Sequence, residues 1–278
     1  QGHPTAFTLA ELGPGRGTLM ADILRATRAV PGFHAAAQIH LIEASPKLKA
    51  VQQETLSAYA PLWLDQVDAL PDQPLFLVAN EFFDALPIQQ FVRYGAGWRE
   101  RRVGVQDGAL IFGLAPTGPQ AALSHRLDDT RDGDLVEVCP AAATVATSLA
   151  TRIAAHGGAA LIIDYGDWRS VGDTLQALRA HAPVDPLETP GLADLTAHVD
   201  FEPFVAIARA RGCGHSRVTP QGIFLERLGI TGRAQTLAAP LTGDALENLV
   251  QAHRRLTHPE EMGNLFKVLG LFPADASP

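Results

Sequence analysis

The sequence predicts an α/β fold in which a mostly parallel β-sheet carries helices on both faces. Three observations support this prediction. Apolar segments typical of buried strands alternate with segments whose apolar residues recur at helical spacing. A glycine-rich loop joins the first predicted strand to the first predicted helix. The alternation is interrupted after Pro87 by residues that alternate apolar and polar, which indicates an antiparallel insertion.

The first part of the chain supplies the parallel strands of the predicted sheet. The pair Ser45-Pro46 marks the start of the second helix, because serine caps a helix and proline is favoured in its first turn. Right-handed crossovers between such strands place the first strand at the centre of the sheet. In chain order we predict a strand at 6–12, a helix at 18–30, a strand at 39–45, a helix at 47–60, a strand at 61–65 and a buried strand within 74–87.

The second part contains the insertion and the return of the α/β pattern. Turn signals at Gly95-Ala96-Gly97 and Asp107-Gly108 predict an antiparallel meander over 88–133. A Pro-, Gly- and Asp-rich stretch predicts a long ordered loop at a functional edge over 167–200. The whole chain, 1–278, is predicted to form one domain. The remaining predicted elements are a helix at 141–156, a strand at 159–166, a helix at 201–211, a strand at 214–219, helices within 221–257 and a strand at 264–272.

Composition excludes several functional classes. A net charge of −8 argues against a nucleic-acid or anionic-membrane binder, and no apolar run of about 18 residues predicts a membrane span. The run of Arg99, Arg101 and Arg102 is expected to be a solvated hairpin face rather than a binding patch. Cys139 and Cys213 are predicted to be reduced and structural, and the ten histidines lack metal-ligand spacing, so no metal is predicted.

The glycine loop ELGPGRG predicts a bound adenosine-containing ligand. Gly13, Gly15 and Gly17 are followed by Thr18, where the dinucleotide pattern G-x-G-x-x-G requires glycine. Glu11 stands two residues before the first glycine. A carboxylate here suits a ligand with an ammonium group better than it suits a pyrophosphate, and S-adenosylmethionine is such a ligand.

Two further acids follow predicted strands at the same edge of the sheet. Glu43 ends the second strand, where a carboxylate accepts hydrogen bonds from both ribose hydroxyls of either ligand class. It would otherwise be a surface acid that caps the next helix. Asp65 follows the third strand, where an acid reaches an adenine amino group or simply lies in a surface loop.

The segment NEFFDALP ends the strand predicted to adjoin the first strand. Its polar residues Asn80, Glu81 and Asp84 would face the reactive end of a ligand held by the glycine loop. Paired carboxylates bind a guanidinium through bidentate, charge-assisted hydrogen bonds. The alternative is that these acids cap a helix while the neighbouring phenylalanines enter the core.

Eight segments together resemble one family: ELGPGRG, IEAS, NEFFDALPIQQFV, LIIDYG, GDTLQALRAH, ADLTAHVDF, QGIFLERLGI and MGNLFKVLGL. The chain is similar over almost its whole length to the MidA-type S-adenosylmethionine-dependent methyltransferases. Mitochondrial members of that family methylate an arginine of a core subunit of respiratory complex I during assembly. The resemblance implies a class I methyltransferase fold, with a Rossmann-like, seven-stranded, mostly parallel sheet and an inserted substrate-facing subdomain.

The resemblance also implies roles for individual residues. Family members carry a Gly- and Tyr-rich segment before the glycine loop that helps to close the cofactor site. Only ten residues precede Glu11 here, so we expect a more open site or a chain whose start is lost. The implied cofactor residues are Glu11, Gly13, Gly15, Gly17 and Glu43, the implied methyl-transfer rim is Asn80, Glu81 and Asp84, and His198 or Asp200 would line the acceptor channel or make structural hydrogen bonds.

The leading functional hypothesis is methyl transfer from S-adenosylmethionine to an arginine of a partner protein. Glu81 is the expected proton acceptor, because a free guanidinium is a very weak acid that is protonated at neutral pH and must lose a proton around transfer. The alternatives are an assembly module that keeps the pocket without chemistry, and a nicotinamide-dependent oxidoreductase. A homodimer is a further expectation, as is a cytoplasmic location in bacteria or the mitochondrial matrix for a eukaryotic relative.

Overall fold

The computed structural model describes residues 3–180 and 182–276. Its strands and helices follow the alternation that the sequence predicts. The strands are β1 (Phe7–Leu12), β2 (Ala37–Ile42), β3 (Leu62–Leu64), β4 (Leu75–Asn80), β5 (Gln89–Tyr94), β6 (Gly97–Gln106), β7 (Ala109–Leu114), β8 (Leu135–Val138), β9 (Gly158–Asp167), β10 (Gln176–Arg179), β11 (Ala182–Val184), β12 (Asp194–Thr196), β13 (Val199–Asp200), β14 (Cys213–His215), β15 (Thr219–Pro220) and β16 (Phe266–Pro273). The α-helices are α1 (Thr18–Ala26), α2 (Phe33–Ala36), α3 (Pro46–Thr55), α4 (Pro140–His156), α5 (Glu202–Ala210), α6 (Gln221–Arg227), α7 (Ile230–Ala238) and α8 (Asp244–Thr257).

The central sheet has the strand order β3-β2-β1-β4-β9-β16-β14, with β13 and β15 pairing beside β9 and β16. The neighbours from β3 to β9 are parallel, whereas β16 runs antiparallel to β9 and β14. The predictions of a mostly parallel sheet and of a central first strand are therefore confirmed. All six residues of β1 are buried, as expected for a parallel strand covered on both faces.

Alternate side chains of β1 enter two separate cores. Phe7 and Leu9 pack with Met20 and Leu24 of α1 on one face. On the other face Ala10 and Leu12 pack in a larger cluster that includes α4 and α5. Each fully buried large apolar side chain contributes about 1.5–3 kcal/mol relative to its exposed state. These two cores fix the helices that support the edge of the sheet where the glycine loop lies.

Two predicted segment boundaries differ from the structure. The inserted antiparallel sheet has the order β7-β6-β5-β8, so it extends past the predicted range of 88–133 to include β8. The segment 167–200, expected as a loop, contains the three-stranded sheet β11-β10-β12 and the short strand β13. Strands of two to four residues are too short to show a clear period-two pattern.

The insertions emerge at one edge of the central sheet. The β5–β8 sheet follows the carboxyl end of β4, and the segment 168–198 follows the carboxyl end of β9. Helices α6 to α8 precede β16, whose first residue, Phe266, pairs with Tyr165 near the end of β9. In doubly wound sheets ligands bind outside this carboxyl edge. Among the helices in the described ranges, none has the length and apolar character required to cross a membrane.

Candidate functional site

The glycine loop between β1 and α1 adopts a backbone that requires glycine. Gly13, Gly15 and Gly17 all have positive φ, at 57°, 53° and 78°. A Cβ atom at Gly13 would also lie 3.0 Å from a ring carbon of Phe82. Gly17 is the N-cap of α1, so the loop directs the positive end of that helix into the site.

Glu11 is a buried carboxylate with one unused oxygen. Its side chain is 3% exposed, and Oε2 has no hydrogen-bond partner within the described residues. Burial raises the pKa of Glu11 to about 7, although a hydrogen bond from the backbone of Met20 opposes the shift. Because an unpaired buried carboxylate is costly, this oxygen indicates a place for a donor or a cation from a ligand.

Glu43 lies immediately after β2, and both of its carboxylate oxygens are held by the protein. Oε1 accepts a hydrogen bond from the Ser45 backbone N–H at 2.8 Å, and Oε2 accepts one from Gln52 Nε2 at 3.1 Å. Gln52 Nε2 also donates to the carbonyl oxygen of Gly15 at 2.8 Å. The glycine loop and Glu43 are therefore joined through one side chain of α3.

Gln52 was not identified from the sequence. It stands four residues after Leu48 and four before Leu56, so it interrupts the apolar face of α3 with a polar group. Its side chain is fully buried. The sequence signal that could have identified it is a polar residue on the apolar face of a predicted helix.

Asp65 lies just beyond β3 and is largely exposed. Its carboxylate forms an ion pair with Lys49 Nζ at 2.9 Å, and 83% of the side chain is accessible to solvent. Its expected role at the adenine amino group stays a prediction.

The polar turn after β4 is organised by Asp164 of β9. This residue is fully buried, and its Oδ2 accepts backbone N–H bonds from Phe82, Phe83 and Asp84 at 3.2, 3.0 and 3.3 Å. Parallel pairing of β4 with β9 places the two segments side by side. Asp164 was not identified from the sequence. The signal that could have identified it is an acid within the apolar segment ALIIDYG.

Asp84 is the buried carboxylate of this turn. Tyr165 Oη donates to its Oδ2 at 2.6 Å, whereas Oδ1 is buried with no partner among the described residues. Burial raises the pKa of Asp84. Burial and the charge of Asp84 raise the pKa of Asp164 to about 8. Carboxyl groups with raised pKa values that cluster at a strand end are typical of functional sites.

Asn80 ends β4 and is half-buried, and the next residue, Glu81, is the exposed acid of the turn. Glu81 has a φ of 50°, an uncommon conformation for a residue other than glycine and one often found at functional sites. Burial, followed by the charge of Asp84, raises the pKa of Glu81. Asn80 Nδ2 lies 3.4 Å from Glu81 Oε1. The three residues predicted at the methyl-transfer rim are thus adjacent in the structure.

His198 and Asp200 lie on the chain that leads into α5. The His198 ring meets the Tyr165 ring edge-on, with centroids 5.6 Å apart. Asp200 accepts the Ser170 backbone N–H at 2.7 Å and lies 3.6 Å from Arg126 Nη1. His198 therefore adjoins the Asp84 group, whereas the contacts of Asp200 favour the structural role that the sequence left open.

A cavity of about 600 Å³ lies between the inserted sheet and helices α4 and α5, with His198 and Asp200 in its wall. Phe83, from the polar turn, also lines it. Its position places it beside the Asp84 group rather than the glycine loop. In the part of the chain that the structure describes, no group of three or more His, Cys, Asp or Glu residues is arranged to hold a metal ion.

An adenosine ligand with an ammonium group fits this arrangement. The glycine loop leaves room for close approach, Glu11 offers an unpaired buried oxygen, and Glu43 offers two oriented ones. The Asp84 and Glu81 carboxylates lie across the end of β4, which is the neighbour of β1 in the sheet.

Comparisons with known proteins agree with this geometry. Residues 1–219 match the family described as "Putative S-adenosyl-L-methionine-dependent methyltransferase". Two similar curated relatives are both named protein arginine methyltransferase NDUFAF7, mitochondrial. The one from Danio rerio is 36% identical over 96% of this chain and 69% of its own length. The one from Homo sapiens is 35% identical over 98% of this chain and 67% of its own length.

A solved structure shows the same fold with a ligand bound. It is a crystal structure of a Burkholderia thailandensis protein bound to S-adenosyl-homocysteine, with a TM-score of 0.83 and 31% sequence identity. The match covers 98% of this chain and 73% of that one. Both the family model and these relatives span most of the sequence, and the cofactor prediction made from the glycine loop is confirmed. The chain belongs to this family of S-adenosyl-L-methionine-dependent methyltransferases.

Proposed function

We propose that this methyltransferase acts on an arginine side chain of a partner protein. The observation that carries the proposal is the buried Oδ1 of Asp84, which has no partner among the residues that the structure describes and lies beside a second carboxylate, Glu81, at the end of β4. Two carboxylates in one polar turn complement a guanidinium, which presents several N–H donors in a fixed plane. The arginine methyltransferase names of the relatives support this acceptor.

The cofactor roles follow from the same contacts. Glu11 Oε2 is proposed to accept the ammonium group, and Glu43 is proposed to accept the two ribose hydroxyls. The backbone of the glycine loop, Gly13 to Gly17, allows close approach of the ligand. Asp65 is proposed to reach the adenine amino group only if its ion pair with Lys49 opens.

The residues of the polar turn position the acceptor and handle its proton. S-adenosylmethionine, when bound, supplies an electrophilic methyl group, so alignment of the acceptor nitrogen is the main task left to the protein. Asp84 Oδ1 is proposed to accept a guanidinium N–H and to fix the plane of the group. Glu81, the exposed carboxylate, is proposed to take the displaced proton late in the transfer. Its raised pKa strengthens it as a proton acceptor.

Finer assignments rest on the family resemblance and the names of the relatives. A subunit of respiratory complex I is the proposed acceptor protein, with His198 at the entrance to the acceptor channel. The relatives are named as mitochondrial proteins, and the compartment of this chain stays a prediction. A homodimer likewise stays a prediction.

Two variants test the acceptor assignment. We expect Glu81→Gln and Asp84→Asn to bind S-adenosylhomocysteine with nearly native affinity in calorimetric titration, because the hydrogen bonds of these side chains are to Asn80 and Tyr165 rather than to the glycine loop. Transfer of a radiolabelled methyl group to arginine in a lysate from cells lacking the enzyme should fall by about 100-fold, as for loss of a general base. Glu54→Gln changes an exposed acid on α3 and serves as the control. Native turnover in both site variants, or label on residues other than arginine, would contradict the proposal.

A further inference from the structure

Gln52 is the polar side chain at which the parts of the cofactor site meet. It occupies the buried face of α3, where Leu56 contributes to the core one turn later. Burying an amide without hydrogen bonds is costly, so its presence there depends on its partners. Those partners come from three segments: Gly15 in the glycine loop, Glu43 after β2 and Trp63 in β3.

The orientation of the Gln52 amide is fixed by these three bonds. Nε2 donates one hydrogen to the Gly15 carbonyl and the other to Glu43 Oε2, while Oε1 accepts from Trp63 Nε1 at 2.8 Å. An inverted amide would place an acceptor against two acceptors and a donor against a donor. The site therefore requires an amide, held in one orientation, beneath the cofactor loop.

Glu43 is held from the protein side at both oxygens. The Ser45 N–H occupies one acceptor direction of Oε1, and Gln52 occupies one acceptor direction of Oε2. Each carboxylate oxygen keeps a second acceptor direction. A pair of adjacent ribose hydroxyls requires two oxygens presented together, which a freely rotating carboxylate does not provide.

We propose that Gln52 is a positioning residue for S-adenosylmethionine, which orients the Glu43 carboxylate toward the ribose hydroxyls of the ligand. This inference rests on the ribose role proposed for Glu43. Gln52 should therefore increase the affinity only for ligands that carry the ribose hydroxyls. A residue that only stabilised α3 would affect all adenosyl ligands alike.

The test compares two ligands in Gln52→Met. The probes are S-adenosylhomocysteine and its 2′,3′-dideoxyribose analogue, with affinities measured by calorimetry. We expect the variant to bind S-adenosylhomocysteine about tenfold or more weakly, as for loss of a hydrogen bond to a charged group. The dideoxy analogue should bind within about twofold of its native affinity, because it has no hydroxyls for Glu43 to accept from. Gln53→Met makes the same change at an exposed neighbour and should leave both affinities unchanged.

Further variants separate the possible outcomes. Trp63→Phe keeps an aromatic ring but removes the donor to Gln52 Oε1. We expect it to lose less affinity for S-adenosylhomocysteine than Gln52→Met does and again to leave the dideoxy analogue unaffected. This variant keeps the inference testable if Gln52→Met fails to fold. Equal weakening of both ligands, or native binding of both, would overturn the positioning role. Native binding of S-adenosylhomocysteine by Glu43→Gln would overturn the ribose role and this inference with it. The arginine assignment would stand, because label transfer tests it separately.

Discussion

Glu11 shows how one buried charge links stability to ligand binding. Its carboxylate is almost wholly removed from solvent, and burial raises its pKa to about 7. Without a ligand, Oε2 has no partner in the described part of the chain. The folded protein therefore binds a proton at Glu11 more tightly than the unfolded chain does. The stability that this proton contributes is present at acid pH and is lost as pH rises through about 7.

We expect Glu11→Gln to be more stable than the native protein at pH 8, by on the order of 1–3 kcal/mol, because the buried charge is removed. At pH 5 the difference should fall to about 1 kcal/mol or less. Thermal and urea unfolding at the two pH values measure it. Equal stabilisation at both pH values would contradict a titrating Glu11.

The same variant should lose affinity for the cofactor. In the native protein, affinity for S-adenosylhomocysteine should increase from pH 6 to pH 8, because an ionised Glu11 pairs with the ligand's ammonium group. Glu11→Gln should bind more weakly at pH 8, and its affinity should change little over this range. Asp200 and Asp164, with pKa values of about 6 and 8, titrate in the same pH range. The contribution of Glu11 is therefore the difference in affinity between the native protein and the variant at each pH. Parallel pH profiles would argue against the ammonium contact.

At the scale of elements, one acid of β9 shapes the turn that follows β4. Asp164 accepts three consecutive backbone N–H groups of that turn and a fourth from Tyr165. The turn carries Glu81 in a left-handed conformation. The geometry of the proposed acceptor site is therefore set by the neighbouring strand rather than by the turn sequence alone.

We expect Asp164→Ala to lower the free energy of unfolding by about 2–4 kcal/mol, because four backbone N–H groups lose their acceptor. Asp164→Asn should cost only about 1 kcal/mol, because its carbonyl oxygen still accepts the three N–H groups of the turn and only the bond from the Tyr165 N–H is lost. Urea unfolding of both variants measures the difference. If alanine and asparagine cost the same, the N–H bonds do not set the stability of the turn.

At the scale of the whole molecule, Arg126 joins the insertions to each other and to the start of α5. This residue is 3% exposed and ends the 3₁₀ turn Ala121–Arg126. Its Nε bonds to both oxygens of Asp129, and Nη2 donates to the Ser170 carbonyl at 3.0 Å. Nη1 faces Asp200, whose pKa is raised to about 6 by burial despite this cation. This network around a buried arginine holds part of the cavity wall beside the proposed acceptor site.

We expect Arg126→Met to lower the free energy of unfolding by about 2–4 kcal/mol, because it leaves the half-buried Asp200 carboxylate without its cation and removes the donor to the Ser170 carbonyl. Adding Asp200→Asn should recover part of the loss. The control is Arg102→Met, an exposed ion-pair partner of Glu100, for which a change below about 1 kcal/mol is expected. Urea unfolding of the four proteins tests the network. No recovery in the double variant would show that Asp200 is not the destabilised partner.

The sequence by itself determined the cofactor class of this protein. Local patterns predicted a glycine loop between a strand and a helix, with Glu11 and Glu43 at strand ends. In the structure the three glycines of that loop have positive φ, and both acids are buried at the carboxyl edge of the sheet. Glycine spacing, strand ends and helix caps involve neighbours in the chain, so their physical cause is visible in short segments. The central place of the first strand followed because right-handed crossovers leave few arrangements.

Only the tertiary structure decided which polar groups hold that site in place. Asp164 reaches the turn after β4 across 80 to 82 positions of sequence, and Gln52 reaches Gly15 across 37. In the sequence, Asp164 and Gln52 are each a polar residue within an otherwise apolar pattern. A buried polar side chain is tolerated only when its partners are present, and those partners come from strands that become neighbours when the parallel sheet assembles.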